Sequence, residues 1–351
     1  MSRTTRRTER GSSLIGIEIG TDEVRLVQPK RAGADEIRRA ASMPTDDGVV
    51  DPSRLKSLAR GFAGRDAVVS PPPGELELRP VRLPRLAGEE LREAARWEVA
   101  PLLDVDGSDL VAEPIVISPQ PGEDGRLEIL VVAARVSRMT MLLEPVLEAG
   151  FRPVAVEPGF LATGRVFSRR SRRDAERDEV RLVVEVGDSI SWLVVMRGDA
   201  VVFAKSVAIG GADFDREIAR DLGITEDEAR STRLDAARGG LDDLVIEALK
   251  ESVRRAARPM IDEAAMAIRY ATVSARLGRS RAVHVTGPAG STPGVAEAID
   301  AAVPGVPLEV DHLLDARLRA HPGIAEHGGA GTWVRAFGLA IRPPVAREEA
   351  A

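Results

Sequence analysis

The chain contains no cysteine, which excludes disulfide bonds, thiolate metal centres and a cysteine nucleophile. Histidine is scarce, and the four histidines form neither an HExxH pair nor another metal-binding spacing. They are His284, His312, His321 and His327. No apolar stretch approaches the roughly 20 residues that a membrane-spanning helix needs. We therefore expect neither a histidine metal site nor a transmembrane anchor, and the composition is compatible with a reducing compartment.

The charge balance argues against a nucleic-acid partner, because 55 acidic residues outnumber 49 basic ones and give a net charge of −6. Hydrophobic residues make up 44% of the chain and charged residues 30%, which is typical of a soluble globular protein. A chain of 351 residues is long for a single core, so two or more lobes are expected. Residues 1–13 are basic and polar, and we expect a disordered tail there.

Hydrophobic periodicity predicts a mixed α/β chain. Strands are expected at 14–19, 24–28, 66–70, 111–117, 127–133, 153–156, 180–186, 190–196, 200–207 and 282–286. Helices are expected at 51–62, 88–99, 137–149, 212–222, 241–277 and 293–302. Pro101 should end the second helix, and Pro259 should kink the fifth near its middle. The sequence SPPPG at 70–74 marks a joint, and the polar run 168–179 indicates an exposed loop.

A strand–turn–strand unit occurs twice at half-chain spacing. The segment EIGTDEVRLV at 18–27 aligns with EVGDSISWLV at 185–194. The leading glutamates of the two segments, Glu18 and Glu185, lie 167 residues apart. Such an internal repeat predicts two related lobes that face each other.

These turns have the composition of a phosphate-binding site. Strand alternation places Gly16, Glu18 and Gly20 on one face, opposite to the isoleucines. Glycine-rich turns can aim several backbone N–H groups at one anion, and a carboxylate beside them can hold Mg²⁺ through water. A third segment, AVHVTGPAGSTPGV at 282–295, predicts a strand, a glycine loop and a helix start that suit the sugar or α-phosphate of a nucleotide. Taken alone, it is equally a plain strand-to-helix connection.

With these three features in this order, the chain resembles the actin-like ATPase superfamily, and within it the PilM-like type IV pilus assembly proteins, which are related to FtsA. The resemblance covers residues 14–341. It is carried by GIEIGTDEVRLV, LREAARWEVAPLL, ILVVAARVS, LEAGFRPVAVEP, VVEVGDS, AIGGADFDREIARDLGITEDEAR, VTGPAGSTPG and AFGLAI. It implies an α/β fold of the actin-like (ribonuclease H-like) type, with two lobes, an interlobe nucleotide cleft and a small inserted α+β subdomain.

The resemblance also implies a division of the chain into these parts. Lobe 1 would comprise 14–79 and 157–178, completed by a final helix near 330–341. The inserted subdomain would span 80–156, and lobe 2 would span 179–330.

For the cleft, the resemblance implies ATP or ADP together with Mg²⁺. The candidate nucleotide-binding residues are Gly16, Glu18, Gly20, Thr21, Asp22, Arg25, Glu185, Gly187, Asp188, Ser189, Gly287 and Gly290. Glu18 and Glu185 would hold the Mg²⁺ ion through water. No residue is assigned a catalytic role.

In PilM-type proteins, the groove beside the insert receives the short cytoplasmic N-terminal peptide of the membrane protein PilN, so the resemblance implies a PilN-like partner. Arg96 and Trp97 are candidates for lining that groove, although Trp97 could instead fill the insert's own core. Other assembly proteins and self-association are compatible with this picture. The protein would be cytoplasmic and would reach the inner face of the cytoplasmic membrane through its partner.

Several residues depart from the family pattern, which favours Asp at the positions of Glu18 and Glu185. Pro288 replaces a glycine of the adenosine loop, and Asp22 and Glu23 stand where small hydroxyl residues are usual. A unit negative charge about 5 Å from a phosphate charge costs roughly 3 kcal/mol at an effective dielectric of about 20. We therefore expect nucleotide binding with weak or absent ATP hydrolysis.

The expected function is a cytoplasmic actin-like scaffold of type IV pilus or type II secretion-like assembly. One alternative is a degenerate adaptor that binds protein without nucleotide, which the acidic turn residues Asp22, Glu23 and Asp188 favour. An FtsA-type divisome adaptor is disfavoured, because the segment IRPPVAREEAA has no apolar helical face. A sugar-kinase-like enzyme would need a catalytic carboxylate base, and the weakened phosphate loops argue against it.

Overall fold

The computed structural model describes most of the chain, namely residues 13–32, 34, 36–117, 124–168, 178–274, 280–310, 321–325 and 331–343. The expected tail at 1–13 lies outside these residues apart from its last position. Most of the expected loop at 168–179 lies outside them as well. Within the described ranges, no helix combines the length and apolar character needed to cross a bilayer.

The described chain contains thirteen strands and eleven helices. The strands are β1 Ile15–Ile19, β2 Glu23–Pro29, β3 Ile37–Pro44, β4 Asp66–Ser70, β5 Glu77–Leu83, β6 Leu110–Val116, β7 Leu127–Arg135, β8 Arg152–Val156, β9 Val180–Glu185, β10 Ser191–Arg197, β11 Ala200–Val207, β12 Ser280–Thr286 and β13 Leu308–Val310. The helices are α1 Pro52–Ala59, α2 Gly88–Leu103, α3 Val136–Glu148, α4 Gly159–Ser168, α5 Gly211–Leu222, α6 Glu226–Ala237, α7 Asp243–Ala256, α8 Arg258–Arg269, α9 Val295–Ala302, α10 Pro322–Ala325 and α11 Val334–Ala340.

Two five-stranded sheets in the described part form the centres of two lobes, which confirms the expected two-lobed α/β fold. The first sheet has the order β3-β2-β1-β4-β8 and the second the order β11-β10-β9-β12-β13. In each sheet, a central strand pairs antiparallel with the next strand of the chain and parallel with a later one. The two repeated segments begin at the ends of the central strands β1 and β9 and continue into β2 and β10, so the internal repeat corresponds to the same strand order in both lobes.

The inserted subdomain is smaller than the sequence predicts. Its antiparallel sheet, β5-β7-β6, is covered by α2, and Leu91, Ala95 and Val99 of that helix pack in a core with β7. Relative to the expected span 80–156, β5 begins three residues earlier, at Glu77, and β8 pairs with β4 of the first sheet. Helix α3 also belongs to lobe 1, since Val146 packs in the core of that lobe.

Two proline predictions have opposite outcomes. Pro101 does not end α2, which continues to Leu103 before Asp104 adopts a left-handed conformation. Proline lacks an N–H and strains a helix, but near the end of a helix one lost hydrogen bond is tolerated when tertiary packing holds the turn. Pro259 does interrupt the long helical segment, which divides into α7 and α8 around Ala257.

Hydrophobic periodicity does not predict every strand and helix. Strands β3, β5 and β13 and helices α4, α6 and α10 were not predicted. Helix α6 has few apolar residues, but Thr225 caps its N-terminus and forms a capping box with Glu228. Local capping and tertiary packing therefore specify this helix, rather than an apolar stripe.

The final helix α11 is buried in every residue and lies against β1 and α4. Two glycines make this close packing possible. A Cβ atom on Gly16 would lie 1.9 Å from the carbonyl oxygen of Ala336, and a Cβ on Gly338 would lie 2.0 Å from that of Ala162. The space beside Gly16 is thus filled by the protein's own helix, which brings the side chains of α11 to the end of β1.

Candidate functional site

The turns after β1 and β9 face each other across a cleft of about 280 Å³. The cleft brings together most of the predicted residues of the two hairpins, namely Glu18, Gly20, Thr21, Asp22, Arg25, Gly187, Asp188 and Ser189. Glu185 lies immediately behind this lining, where it contacts a residue of the cleft wall. The repeated segments are therefore adjacent in space, although no nucleotide contact follows from their placement alone.

Besides Glu185, three predicted nucleotide-binding residues do not line the cleft. Gly16 packs under α11, as described above. A Cβ atom on Gly287 would lie 2.4 Å from the carbonyl oxygen of Val186, and one on Gly290 would lie 2.4 Å from that of Thr286. These glycines permit close backbone packing within the loop after β12, and from this loop Pro288 reaches the cleft.

The hairpin turns are tight for a local reason. The N–H of Gly20 donates to the carbonyl oxygen of Glu23 at 3.0 Å. A Cβ on Gly20 would lie 2.9 Å from that same oxygen, and a Cβ on Gly187 would lie 2.2 Å from the carbonyl oxygen of Ile190. Larger residues at Gly20 or Gly187 would open these turns.

Sequence analysis missed the most central residue of the site, Arg335. This arginine comes from α11 and its guanidinium bridges the two repeated glutamates. Its Nη1 lies 3.3 Å from Oε1 of Glu18, and its Nη2 lies 2.7 Å from Oε1 of Glu185. Arg335 is only 5% exposed, Glu18 3% and Glu185 2%, so the bridge is screened from water. A single arginine inside an apolar helix gives no periodic signal that could have identified it.

Neighbouring residues hold this bridge in place. The Thr163 hydroxyl of α4 donates to Oε2 of Glu185 at 2.9 Å. On the other side, Nη1 of Arg25 lies 3.5 Å from Oε1 of Glu18. A Cβ on Gly159 would lie 2.4 Å from Nε of Arg335, so the glycine provides the space that the guanidinium group occupies.

Glu18 keeps one atom without a partner. Its Oε2 is buried and has no hydrogen-bond partner among the described residues, and the same is true of Nε of Arg335. Burial raises the pKa of Glu18, while the charges of Arg335 and Arg25 oppose that rise. Burial lowers the pKa of Arg335, but Glu185 and Glu18 outweigh it, so that its pKa is raised overall and it stays charged.

A second charge cluster closes the outer part of the cleft. Nη2 of Arg230 on α6 lies 2.7 Å from Oδ2 of Asp22 in lobe 1, and Nη1 lies 3.9 Å from Oδ1 of Asp188 in lobe 2. Burial and hydrogen bonding to Asp22 raise the pKa of Asp188 to about 6. Burial raises the pKa of Asp22, but hydrogen bonds from Arg230 and Asp188 lower it overall. Asp22 therefore accepts from Arg230, and from Asp188 when that carboxyl is protonated, and ties the lobes together.

The residues present do not fit Mg²⁺ between Glu18 and Glu185. Both carboxylates are already bound to the guanidinium of Arg335. Two unit charges 4 Å apart interact by about 4 kcal/mol at an effective dielectric of about 20, so a divalent cation at that distance would be repelled by about twice as much. No cluster of three or more His, Asp or Glu side chains suited to a metal ion occurs in the part of the chain that the structure describes.

The two predicted partner-binding residues lie on α2 of the insert. Trp97 is 71% exposed, so the alternative that it fills the insert's core is wrong. Arg96 is half-buried. Neither residue lines the two grooves that flank the insert.

The two grooves differ in size and chemistry. The larger, of about 640 Å³, lies between the insert and lobe 2 and is lined by residues of β5, β7 and β11 together with Tyr270. The smaller, of about 160 Å³, lies where the insert joins lobe 1. Its lining includes Glu75 and Arg138, which form an ion pair at 2.7 Å.

Three exposed apolar residues are adjacent in sequence to residues that line the smaller groove. Leu102, Val111 and Val136 are 60%, 48% and 43% exposed. Each is the chain neighbour of a lining residue, respectively Leu103, Leu110 and Arg135.

Comparison with known proteins agrees with this architecture. A family model described as "Type IV pilus assembly protein PilM" matches residues 65–342, which is more than half of the chain. No curated protein sequence matches the chain.

Among solved structures, a PilM–PilN type IV pilus biogenesis complex is similar with a TM-score of 0.75 and 22% identity, covering 94% of this chain and 99% of that chain. The ethanolamine utilization protein EutJ from Carboxydothermus hydrogenoformans is similar with a TM-score of 0.54 and 14% identity, covering 93% of this chain and 89% of that chain. At these identities, the likeness shows a shared fold.

The raised pKa of Asp188 predicts a pH dependence of stability. Because its folded pKa of about 6 exceeds the ordinary value of 3.8, the folded state binds more protons between these values, and the free energy of unfolding falls as the pH rises through them. Asp188→Asn removes this titration and keeps a donor for Asp22. We expect the melting temperature of the variant, relative to wild type, to be higher at about pH 8 than at about pH 5.

Asp106→Asn is the control for this measurement, because hydrogen bonds from Ser108 lower the pKa of Asp106 below its usual 3.8. Asp106 is then ionised in the folded and the unfolded state at both pH values, so the difference in melting temperature between Asp106→Asn and wild type should be the same at about pH 5 and about pH 8. A difference between Asp188→Asn and wild type that is the same at both pH values would contradict the assignment.

Proposed function

This chain belongs to the PilM family of type IV pilus assembly proteins, and from that membership we propose that it is an actin-like scaffold which binds the cytoplasmic N-terminal segment of a PilN-like membrane protein. The observation that carries the proposal is the family match over the insert and both lobes, residues 65–342. Through this partner the protein would act at the inner face of the cytoplasmic membrane.

We place the partner segment in the smaller groove, where the insert joins lobe 1. Chain neighbours of its lining residues include exposed apolar side chains, among them Val111 and Val136, which a short apolar segment would cover. Strand β6, which carries Val111, is an edge strand of the insert sheet, so its outer backbone groups are available to an extended peptide. Arg96 and Trp97 remain predicted contacts on the neighbouring helix α2.

Val136→Glu should weaken capture of a PilN-like N-terminal peptide at least about tenfold, because it puts a charge into an apolar contact worth more than about 1.4 kcal/mol. Fluorescence anisotropy with a labelled synthetic peptide measures the affinity. Trp97→Glu, measured in parallel, determines whether α2 shares the contact.

Leu244→Glu is the matched control for this experiment. Leu244 is 82% exposed on α7 of lobe 2, so its replacement should leave the affinity unchanged. If Val136→Glu and Trp97→Glu both stay folded and bind the peptide as wild type does, the docking site lies elsewhere.

For the interlobe cleft, we propose a nucleoside phosphate such as ATP or ADP as the ligand. Two glycine turns from the two lobes face this cleft, and five arginines line it, namely Arg25, Arg230, Arg233, Arg238 and Arg335. The adenosine would lie toward the loop containing Pro288. Hydrolysis is not part of the proposal, because no carboxylate of the inner cleft is free of an arginine partner among the described residues.

A thermal melt with millimolar ATP or ADP tests this ligand. A ligand at 100 times its Kd adds about 2.7 kcal/mol to the free energy of unfolding, so a clear rise in the melting temperature of wild type is expected. Gly20→Trp should abolish the rise, because the added side chain opens the turn and fills the cleft. Gly107→Trp is the control, since a Cβ there meets no atom within 4 Å.

A protein-binding adaptor without a nucleotide is the second candidate, and one observation favours it. Arg335 and Arg230 already connect the two lobes through Glu185 and Asp22, so the closed cleft needs no ligand to bridge it. If neither ATP nor ADP raises the melting temperature of wild type, the nucleotide proposal is excluded and the adaptor without a nucleotide is favoured.

A further inference from the structure

A buried guanidinium lies between carboxylates that belong to different lobes. Arg335 extends from α11, which packs on β1 in lobe 1, and contacts Glu18 of the same lobe. It also contacts Glu185, which ends β9 in lobe 2. The same two carboxylates are the ones that the sequence pattern assigns to a divalent cation.

The surrounding residues are arranged for this guanidinium. Gly159 of α4 leaves the space that its Nε and Cδ atoms occupy, and Thr163 of the same helix fixes the second oxygen of Glu185. On the far side, Oε2 of Glu18 is buried, with its side chain 5% exposed, and has no hydrogen-bond partner among the described residues. An unsatisfied carboxylate oxygen therefore remains beside the bridge, where a cation could be coordinated if the arginine were absent.

We propose that Arg335 is a resident cation, which takes the place of a divalent metal ion between Glu18 and Glu185 and joins the two lobes without one. This inference goes beyond the proposed function, because it applies to a cleft that holds a nucleoside phosphate and to one that holds none. A guanidinium carries a single, permanent charge and five N–H donors, so it can contact two carboxylates at once and does not exchange with solvent ions.

The exchange of a metal ion for a side chain has two consequences. In wild type, Glu18 and Glu185 are both bound to Arg335, so this pair does not bind a divalent cation and gives no response of stability to such ions. Any nucleoside phosphate in this cleft binds equally well in the presence of a chelator and in the presence of Mg²⁺. Conversely, removal of the guanidinium charge leaves Glu18 and Glu185 facing each other, and oxygen ligands of this kind bind Mg²⁺ or Mn²⁺.

The test is a Mn²⁺ titration of the full chain, with binding followed by the electron paramagnetic resonance signal of free Mn²⁺ and stability followed by thermal melts. Wild type should show no saturable Mn²⁺ site and no shift in melting temperature between EDTA and millimolar Mn²⁺. Arg335→Gln should melt at a lower temperature in EDTA and regain part of the loss with Mn²⁺. Arg335→Lys keeps the charge and should remain insensitive to the metal.

Two further variants determine which carboxylates are responsible. Arg342→Gln is the control, because Arg342 pairs with Glu157, which retains Arg165 at 2.7 Å as a second partner. This variant should gain no response to Mn²⁺. The double variant Glu18→Gln, Arg335→Gln should lose the response that Arg335→Gln alone gains.

A saturable Mn²⁺ site in wild type that is absent from a folded Glu18→Gln protein would overturn the proposal. A folded Arg335→Gln protein that is indifferent to Mn²⁺ would overturn it as well. Thermal melts of wild type with ATP are a separate test. Equal stabilisation by ATP in EDTA and in Mg²⁺ supports the proposal. Stabilisation that requires Mg²⁺ contradicts it. Failure of ATP to bind at all refutes the proposed ligand and leaves the Mn²⁺ results to decide the role of Arg335.

Discussion

The buried ion pairs of Arg335 are the interaction on which the relation between the lobes depends. Desolvation of three charged groups is costly, and it is offset only when each charge has a partner at close range. Arg335 satisfies this condition by contacting one carboxylate from each lobe. Removal of the arginine would leave buried Glu185 with only the Thr163 hydroxyl and Glu18 with only Arg25 at 3.5 Å. The closed arrangement of the hairpins and the position of α11 therefore depend on each other.

This interlobe connection has a bearing on the proposed scaffold role. A partner that binds at the insert contacts a protein whose lobes are already connected by two arginines. Arg335 connects them within the cleft, and Arg230 connects them at its outer part. The insert itself packs against lobe 2, since Leu130 and Val132 of β7 share a core with Val194 of β10. A scaffold of this kind presents a fixed surface to its partner. A bound nucleotide would change the stability of the protein more than the shape of that surface.

Much of the architecture could be predicted from the sequence, because the strong signals are local. The repeat at Glu18 and Glu185 identified the two central strands, and glycines at the turns indicated close backbone approach. Other features depend on contacts distant in sequence and gave no local signal. The sequence pattern indicated space for a ligand beside Gly16. That space is filled by α11, which lies more than 300 residues later in the chain. Arg335 likewise acquires its role only when α11 reaches the end of β1.

The most direct test of this account is the distance between the lobes in solution, measured by pulsed electron–electron resonance. Because the chain has no cysteine, Ser57→Cys on α1 and Ser231→Cys on α6 give unique and exposed labelling sites in lobe 1 and lobe 2. The account predicts one narrow distance distribution that is the same in EDTA and with Mg-ATP, and a broad distribution after Arg335→Gln. A wild-type distribution that is broad in EDTA and becomes narrow only with Mg-ATP would contradict it.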